Sequence, residues 1–173
     1  MKNKNIPVDK IVEICENAAI SIGTSSTVKT FCSDTRKMKK DDLFISFKSE
    51  VNNNQIQYIE EALEKGAMGV ITDCEIPEKI IKKYSEKLLI KVQDVIKTIQ
   101  KIAEYKRSLY DIPVVAITGS VGKTSTKEMV ASVLEQKYNV SKTQGNYNNH
   151  IGVPLTILSW DENTEAAVVE MGM

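Results

Sequence analysis

The sequence predicts an α/β protein built in two parts. A small N-terminal domain is followed by the opening portion of a second domain with a parallel sheet. Three observations carry this expectation. Apolar β-branched runs alternate with stretches of helical period along most of the chain, which is the order that layers helices on a sheet. Asp111-Ile112-Pro113 interrupts a long amphipathic segment, since Pro113 disfavours helical geometry at Ile112. After it comes "VVAIT", a short apolar run of the kind found in buried parallel strands. With 173 residues, 42% of them apolar, the chain is long enough to bury a core in one domain or two.

The elements follow in order. "VDKIVEICENAAI" has helical spacing with Asp9 near its start, and the polar cluster from Gly23 to Thr27 ends it. "TVKTFC" and "DLFISF" read as strands joined across "SDTRKMKKD", a polar and basic surface connection. "NQIQYIEEALEKGA" reads as a helix stopped at Gly66, and "MGVITD" and "KLLIKV" as the next strands. "DVIKTIQKIAEYKRSLY" sets Val95, Ile99, Ile102 and Leu109 along one stripe with Asp94 as N-cap. The expected organisation is a domain over 1–92, a linker helix over 93–112 and a further domain over 113–173.

Composition excludes several classes. Lys plus Arg and Asp plus Glu each number 23, so no net field draws the chain to nucleic acid or an anionic membrane. No apolar run is long enough to span a bilayer, and "MKNKNIPVDK" lacks the apolar core of a secretory signal, which makes a cytoplasmic location the expectation. Cys15, Cys32 and Cys74 are odd in number and widely spaced, fitting neither a disulfide framework nor a zinc site, and are read as reduced packing residues. The single histidine, His150, has no ligand partner at metal spacing and reads as a loop residue.

The stretch "VVAITGSVGKTSTKEMVASVLEQ" is strand, glycine loop, helix, the setting a phosphate-binding loop requires. Glycines let successive N–H groups and the helix N-terminus converge on one anion. In such a loop Lys123 reaches the β- and γ-phosphates and Thr124 offers its hydroxyl to Mg²⁺. The longer form of the motif needs glycine at position 117, where this chain has Ile117; the match is to G-x-x-G-K-T, formed by Gly119, Gly122, Lys123 and Thr124. The bland alternative is a simple glycine-rich turn with Lys123 in solvent, against which the flanking strand and helix weigh.

Downstream, "EAAVVEMGM" delivers Glu170 to the end of an apolar strand, and a carboxylate there suits Mg²⁺, a hard cation that takes oxygen ligands. Between the two lies "KTQGNYNNHIGVPLTIL", whose asparagines, glycines and proline indicate an ordered turn rather than a helix or strand. Its amides are able either to shape that turn or to reach a nucleotide.

Together "TGSVGKTS", "GNYNNHIGVPLTIL" and "VVEMG", in this order and spacing, resemble the Mur ligase family. "SDTRKMKKDDLFISF" and "YIEEALEKGAMGVITD" resemble that family's N-terminal domain, so the likeness covers nearly the whole chain. The resemblance implies a small N-terminal substrate domain that binds the UDP end of a precursor, then the first part of a P-loop parallel-sheet ATPase domain. It implies ATP-dependent amide bond formation in peptidoglycan precursor synthesis. The asparagine-rich block most resembles the branch that adds D-alanyl-D-alanine to UDP-N-acetylmuramoyl-tripeptide through an acyl phosphate.

Carried across by residue, Gly119, Ser120, Val121, Gly122, Lys123, Thr124 and Ser125 would cradle ATP, Lys123 being the catalytic group. Thr124 and Glu170 would hold Mg²⁺, and Asn146 and Asn149 would lie near the nucleotide. Ser33, Asp34, Thr35 and Arg36 match the motif near the UDP site; alternatively Asp34 and Arg36 only pair to brace a turn.

Two departures stand out. "KSEVNNNQIQY" replaces the glycine-containing stretch that the family usually carries after "DLFISF". The sequence also stops directly after the Glu170 strand, so the chain is expected to be inactive as a ligase on its own, with an exposed sheet face that dimerisation could cover. The competing expectations are a non-catalytic module for a UDP-precursor or nucleotide, and another ligase of the superfamily such as MurE or folylpolyglutamate synthetase. "SDTR" argues against the folate enzyme. A P-loop GTPase is disfavoured by Ile117 and by the lack of an Asn-Lys-x-Asp motif.

Overall fold

The computed structural model describes residues 4–48 and 54–172. The chain forms two compact units: Asn5–Thr98 is one, and Lys4 with the chain from Ile99 onward is the other.

The first unit begins with strand β1 (Ile6–Pro7) and helix α1 (Val8–Ile14), then β2 (Ala19–Ser21), β3 (Thr27–Val28), β4 (Phe31–Cys32) and β5 (Leu43–Ser46). Helix α2 (Gln55–Glu64), β6 (Gly69–Thr72), α3 (Glu78–Lys83) and β7 (Leu88–Lys91) complete its core. Its main sheet has the order β2-β7-β6-β5-β4, parallel except for β2, while β1 and β3 pair separately. Register sets Phe44, Val70 and Leu89 side by side, and they pack with Ile59, Ala62 and Leu63 of α2, Ile80 of α3 and Tyr84 just after it. Leu43, Ile45, Ile71, Leu88 and Ile90 point the other way and are equally buried, as a parallel sheet covered on both faces demands.

Several expectations are corrected here. The first helix ends at Ile14 rather than running to Ile20, because Glu16 and Asn17 adopt φ of 57° and 58° and turn the chain into β2. "TVKTFC" is not one strand: β3 pairs with β1 and β4 with β5, so the run is divided between two sheets. Helix α3, begun by Pro77, had no counterpart in the sequence reading; at six residues it is too short to declare a period. The departure at "KSEVNNNQIQY" falls largely on residues 49–53, outside the described residues. All three cysteines are free, Cys15 buried and Cys32 and Cys74 partly so.

Helix α4 (Val95–Ser108) begins as expected: the Asp94 carboxylate accepts the Lys97 N–H at 3.0 Å. Val95, Ile99 and Ile102 of its stripe are buried.

The second unit contains β8 (Val114–Ile117), α5 (Lys123–Leu134), β9 (Val140–Lys142), α6 (Gly152–Leu158) and β10 (Ala166–Glu170). The sheet is parallel, in the order β8-β10-β9. The central strand β10 is buried on both faces: Val168 packs with Ile117 and Ala131, and Ala167 and Val169 with Tyr110 and Trp160. Tyr110 meets Trp160 edge to face at 5.5 Å. "VVAIT", expected to be buried, is instead an edge strand with Val115 36% exposed, because β10 takes the centre of the sheet. The stretch expected to be a turn yields helix α6 from Gly152. Pro154 is tolerated in its first turn, where no N–H partner is lost. Among the described residues no helix is long and apolar enough to cross a membrane.

Candidate functional site: a glycine loop beside a buried carboxylate

Strand register assembles this site. Glu170, the last residue of β10, pairs with Ile117, the last of β8, so its carboxylate is delivered beside the loop that starts two residues after Ile117. At Gly119 φ is 140°, and at Gly122, the N-cap of α5, φ is 76°. Both values favour glycine, which explains the spacing of the motif. Among the described residues no hydrogen bond is donated by the main-chain N–H groups of Gly119, Ser120, Val121 or Gly122. The loop curls at the start of a 12-residue helix with these donors unspent, and Val121 at its tip is 88% exposed.

Lys123 folds back over the loop, its Nζ donating to the Gly119 carbonyl oxygen at 2.7 Å. Thr124, next along α5, donates from Oγ1 to Glu170 Oε2 at 3.1 Å. Ser125 lies exposed on the same first turn. The other carboxylate oxygen, Oε1, accepts from Asn148 Nδ2 at 2.8 Å, and the Glu170 N–H donates to Thr143 Oγ1 at 2.9 Å. Glu170 is only 2% exposed, so this carboxylate is fixed in place rather than left to solvent.

The asparagines divide their work. Asn149 Oδ1 accepts the N–H groups of Ile151 and Gly152, capping α6. Asn146 lies exposed in the turn, its carbonyl oxygen accepting the Asn148 N–H at 2.7 Å. Asn148, which sequence reasoning passed over, is the one that reaches Glu170. Gly152 permits this arrangement: a Cβ there would lie 2.4 Å from the Tyr147 backbone, so the Asn-rich turn packs directly on the helix start. Lys127 was also missed. It is 2% exposed, three residues beyond Thr124 on the same face of α5, and donates to the Thr143 carbonyl oxygen at 2.8 Å. That spacing was the available signal.

The donor set suits a hard divalent cation: a hydroxyl and a carboxylate, adjacent, beside a loop whose main-chain donors are unspent among the described residues. Among the described residues there is no group of three His, Cys, Asp or Glu side chains to hold a metal. Mg²⁺ needs no such cage when phosphate oxygens complete its shell.

Ser33, Asp34, Thr35 and Arg36 lie in the first unit, in the turn after β4. Arg36 grips the Asp34 carboxylate with two parallel bonds of 2.9 and 2.8 Å and adds its own N–H at 3.0 Å. The guanidinium holds the Asp34 carboxyl down to about 2. Thr35 is buried, its hydroxyl on Glu61 at 3.1 Å and its carbonyl oxygen taking Lys65 Nζ at 2.8 Å. Ser33 is half-buried beside them. Burial pushes the neighbouring Cys32 thiol up.

Residues 117–173 match the Mur ligase middle domain. The chain is 38% identical over 162 residues to the UDP-N-acetylmuramoyl-tripeptide–D-alanyl-D-alanine ligase of Synechocystis sp., in an alignment covering 94% of this chain and 35% of that protein. The ligase of the same name from Bacillus subtilis is 41% identical over 140 residues, covering 81% and 30%. Among solved structures, MurF ligase from Thermotoga maritima in complex with ADP is 31% identical with a TM-score of 0.68, covering 84% of this chain and 32% of that one. MurF from Acinetobacter baumannii superposes with a TM-score of 0.80 at 24% identity, covering 98% and 36%, a likeness of fold. The chain therefore spans about a third of the length of the relatives it matches.

Proposed function

We propose that this chain supplies the substrate-binding and ATP-binding portions of a cytoplasmic ligase that adds D-alanyl-D-alanine to UDP-N-acetylmuramoyl-tripeptide in peptidoglycan precursor synthesis. The observation that carries the reading is the curl of unspent amides from Gly119 to Gly122 at the start of α5, with Thr124 and Glu170 joined beside it.

In this reading the tripeptide carboxylate attacks the γ-phosphorus of ATP and ADP departs. The amine of D-alanyl-D-alanine then attacks the acyl carbon, inorganic phosphate leaves and the nitrogen loses a proton. Such phosphoryl transfer asks for positioning and charge stabilisation rather than covalent help from the protein. The Gly119–Gly122 amides and the Lys123 ammonium, swung from the Gly119 carbonyl oxygen onto phosphate, would stabilise the charge that shifts onto the β–γ bridge. Thr124 and Glu170 would hold Mg²⁺, which when bound neutralises phosphate oxygens. Ser125 would close the first turn under the phosphates, and Asn146 and Asn149 would border the nucleotide, Asn149 through the turn that it braces.

We assign the UDP end of the precursor to the N-terminal domain, residues 1–92, at Ser33–Arg36. The support there is the Arg36 side chain, 85% exposed beside a turn otherwise locked by its own bonds. Titration calorimetry tests the two parts separately. Mg-ATP and UDP-N-acetylmuramoyl-tripeptide are each expected to bind the chain, and Lys123→Ala is expected to remove the first binding while sparing the second. Failure of wild-type chain to bind Mg-ATP or Mg-ADP would overturn the reading of the loop.

A further inference from the structure

Lysine is rarely buried unless paired, yet Lys127 of α5 is 2% exposed and nothing in the proposed phosphate chemistry uses it. Its Nζ donates to the Thr143 carbonyl oxygen at 2.8 Å and stands 3.1 Å from Glu128 Oε1 and 3.9 Å from Glu170 Oε2. Glu128 is half exposed and also pairs with Lys142 at 2.8 Å, so water and a second lysine already answer its charge. Glu170 differs. It is as buried as Lys127, its other bonds come from the neutral Thr124 hydroxyl and Asn148 amide, and Lys127 is its ion-pair partner among the described residues.

A carboxylate taken out of water without a cation nearby is costly, and two neutral donors do not replace the missing charge. Thr143 fixes the geometry from the other side. Its carbonyl oxygen holds Lys127 while its hydroxyl holds the Glu170 N–H, so the ends of β9 and β10 and the first turns of α5 share one network.

We infer that Lys127 is the resident counter-ion of Glu170: a positioning residue that pairs with the carboxylate and keeps it aimed at Thr124 while no divalent cation is there, and that competes with a divalent cation once one arrives. The second half rests on the proposed metal role of Glu170; the first does not. The charge on Lys127 then sets how tightly the metal is held. A site with Glu170 alone would bind a divalent ion more strongly and release it, with nucleotide diphosphate, more slowly.

The test is a cycle of Lys127→Gln, Glu170→Gln and the double variant, followed by urea unfolding and by Mn²⁺ binding in the presence of ADP, read by electron paramagnetic resonance. Lys127→Gln removes the charge but carries its amide donor one bond short of the lysine nitrogen, so loss of the Thr143 bond lowers stability equally whether residue 170 is Glu or Gln, whereas loss of a counter-ion does not. Glu170→Gln is expected to lower the unfolding midpoint of the wild type but to raise that of Lys127→Gln, because it then removes an unpaired buried charge. Mn²⁺ is expected to bind Lys127→Gln about tenfold more tightly than wild type, the loss of one repelling charge at short range. Equal losses from Glu170→Gln in both backgrounds overturn the proposal, as does unchanged Mn²⁺ affinity in a chain that binds Mn²⁺ and ADP. A wild-type chain that binds neither overturns the reading of the glycine loop instead, and the sign of the Glu170→Gln effect in the Lys127→Gln background still decides whether Lys127 is the counter-ion. Should Lys127→Gln not fold, Lys127→Arg, which restores the charge, must recover the wild-type midpoint; if it does not, charge is not what the position supplies.

Discussion

The turn after β4 and the loop after β8 both follow a parallel strand and both carry a motif, but they spend their hydrogen bonds in opposite ways. At Ser33–Arg36 nearly everything polar is already engaged: Asp34 with Arg36, the Thr35 hydroxyl with Glu61, and the Thr35 carbonyl oxygen with Lys65. At Gly119–Gly122 the main-chain donors are unspent among the described residues, and Lys123 donates to the Gly119 carbonyl oxygen. The first turn is rigid before any ligand arrives. The second is shaped by two glycines at positive φ. A loop that recognises an anion through its backbone needs residues that stay out of the way, whereas a side-chain turn must brace itself.

Substitutions sharpen this contrast. The largest effect is expected from Lys123→Ala, which should weaken nucleotide binding about 100-fold in calorimetry, the worth of a charge-assisted bond to phosphate, with little change in the unfolding midpoint. Gly122→Ala comes next. Its φ of 76° is strained for alanine by about 1–2 kcal/mol, while the new Cβ would meet nothing within 4 Å, so any loss in chemical denaturation reports backbone strain alone. Thr35→Val should cost about 1 kcal/mol of stability through the lost bond to Glu61 and leave nucleotide affinity unchanged. A change in nucleotide affinity there would break the contrast.

The smallest effect belongs to Asp34→Asn. The Asp34 carboxyl is depressed from 3.8 to about 2 by Arg36, so its contribution to stability is present above pH 3.8 and is lost as the pH falls through about 2. At neutral pH the variant should be less stable than wild type by under about 1 kcal/mol, since the pair is largely at the surface. The two should converge in acid unfolding near pH 2. A gap that persists there would mean that the turn depends on shape rather than charge.

Much of the fold was legible where a local pattern was long enough to declare itself. Helix α4, with its Asp94 cap and buried Val95, Ile99 and Ile102, is such a case, and so is the strand, loop and helix from Val114 to Leu134. Shorter elements were not. Helix α3 has six residues, β9 has three, and "TVKTFC" belongs to two sheets, a fact that only pairing reveals. In the candidate site, Gly119, Gly122, Lys123, Thr124 and Glu170 were named by the sequence. Asn148 and Lys127 were not, because asparagine clusters read as turn residues and lysine reads as surface.

The sequence by itself determined the backbone of the loop and the residue types around it, since glycine spacing, a lysine at a helix start and a carboxylate ending an apolar run are local properties of the chain. Tertiary structure decided which strand is buried and which lies at the edge, which of three neighbouring asparagines meets Glu170, and that Lys127 is inside. Those outcomes depend on the order β8-β10-β9 and on the pairing of Glu170 with Ile117, contacts that join residues 26 positions apart across β9 and β10 and 53 apart across β8 and β10. No local pattern encodes such a contact, because its energy exists only once both partners have been brought out of water together.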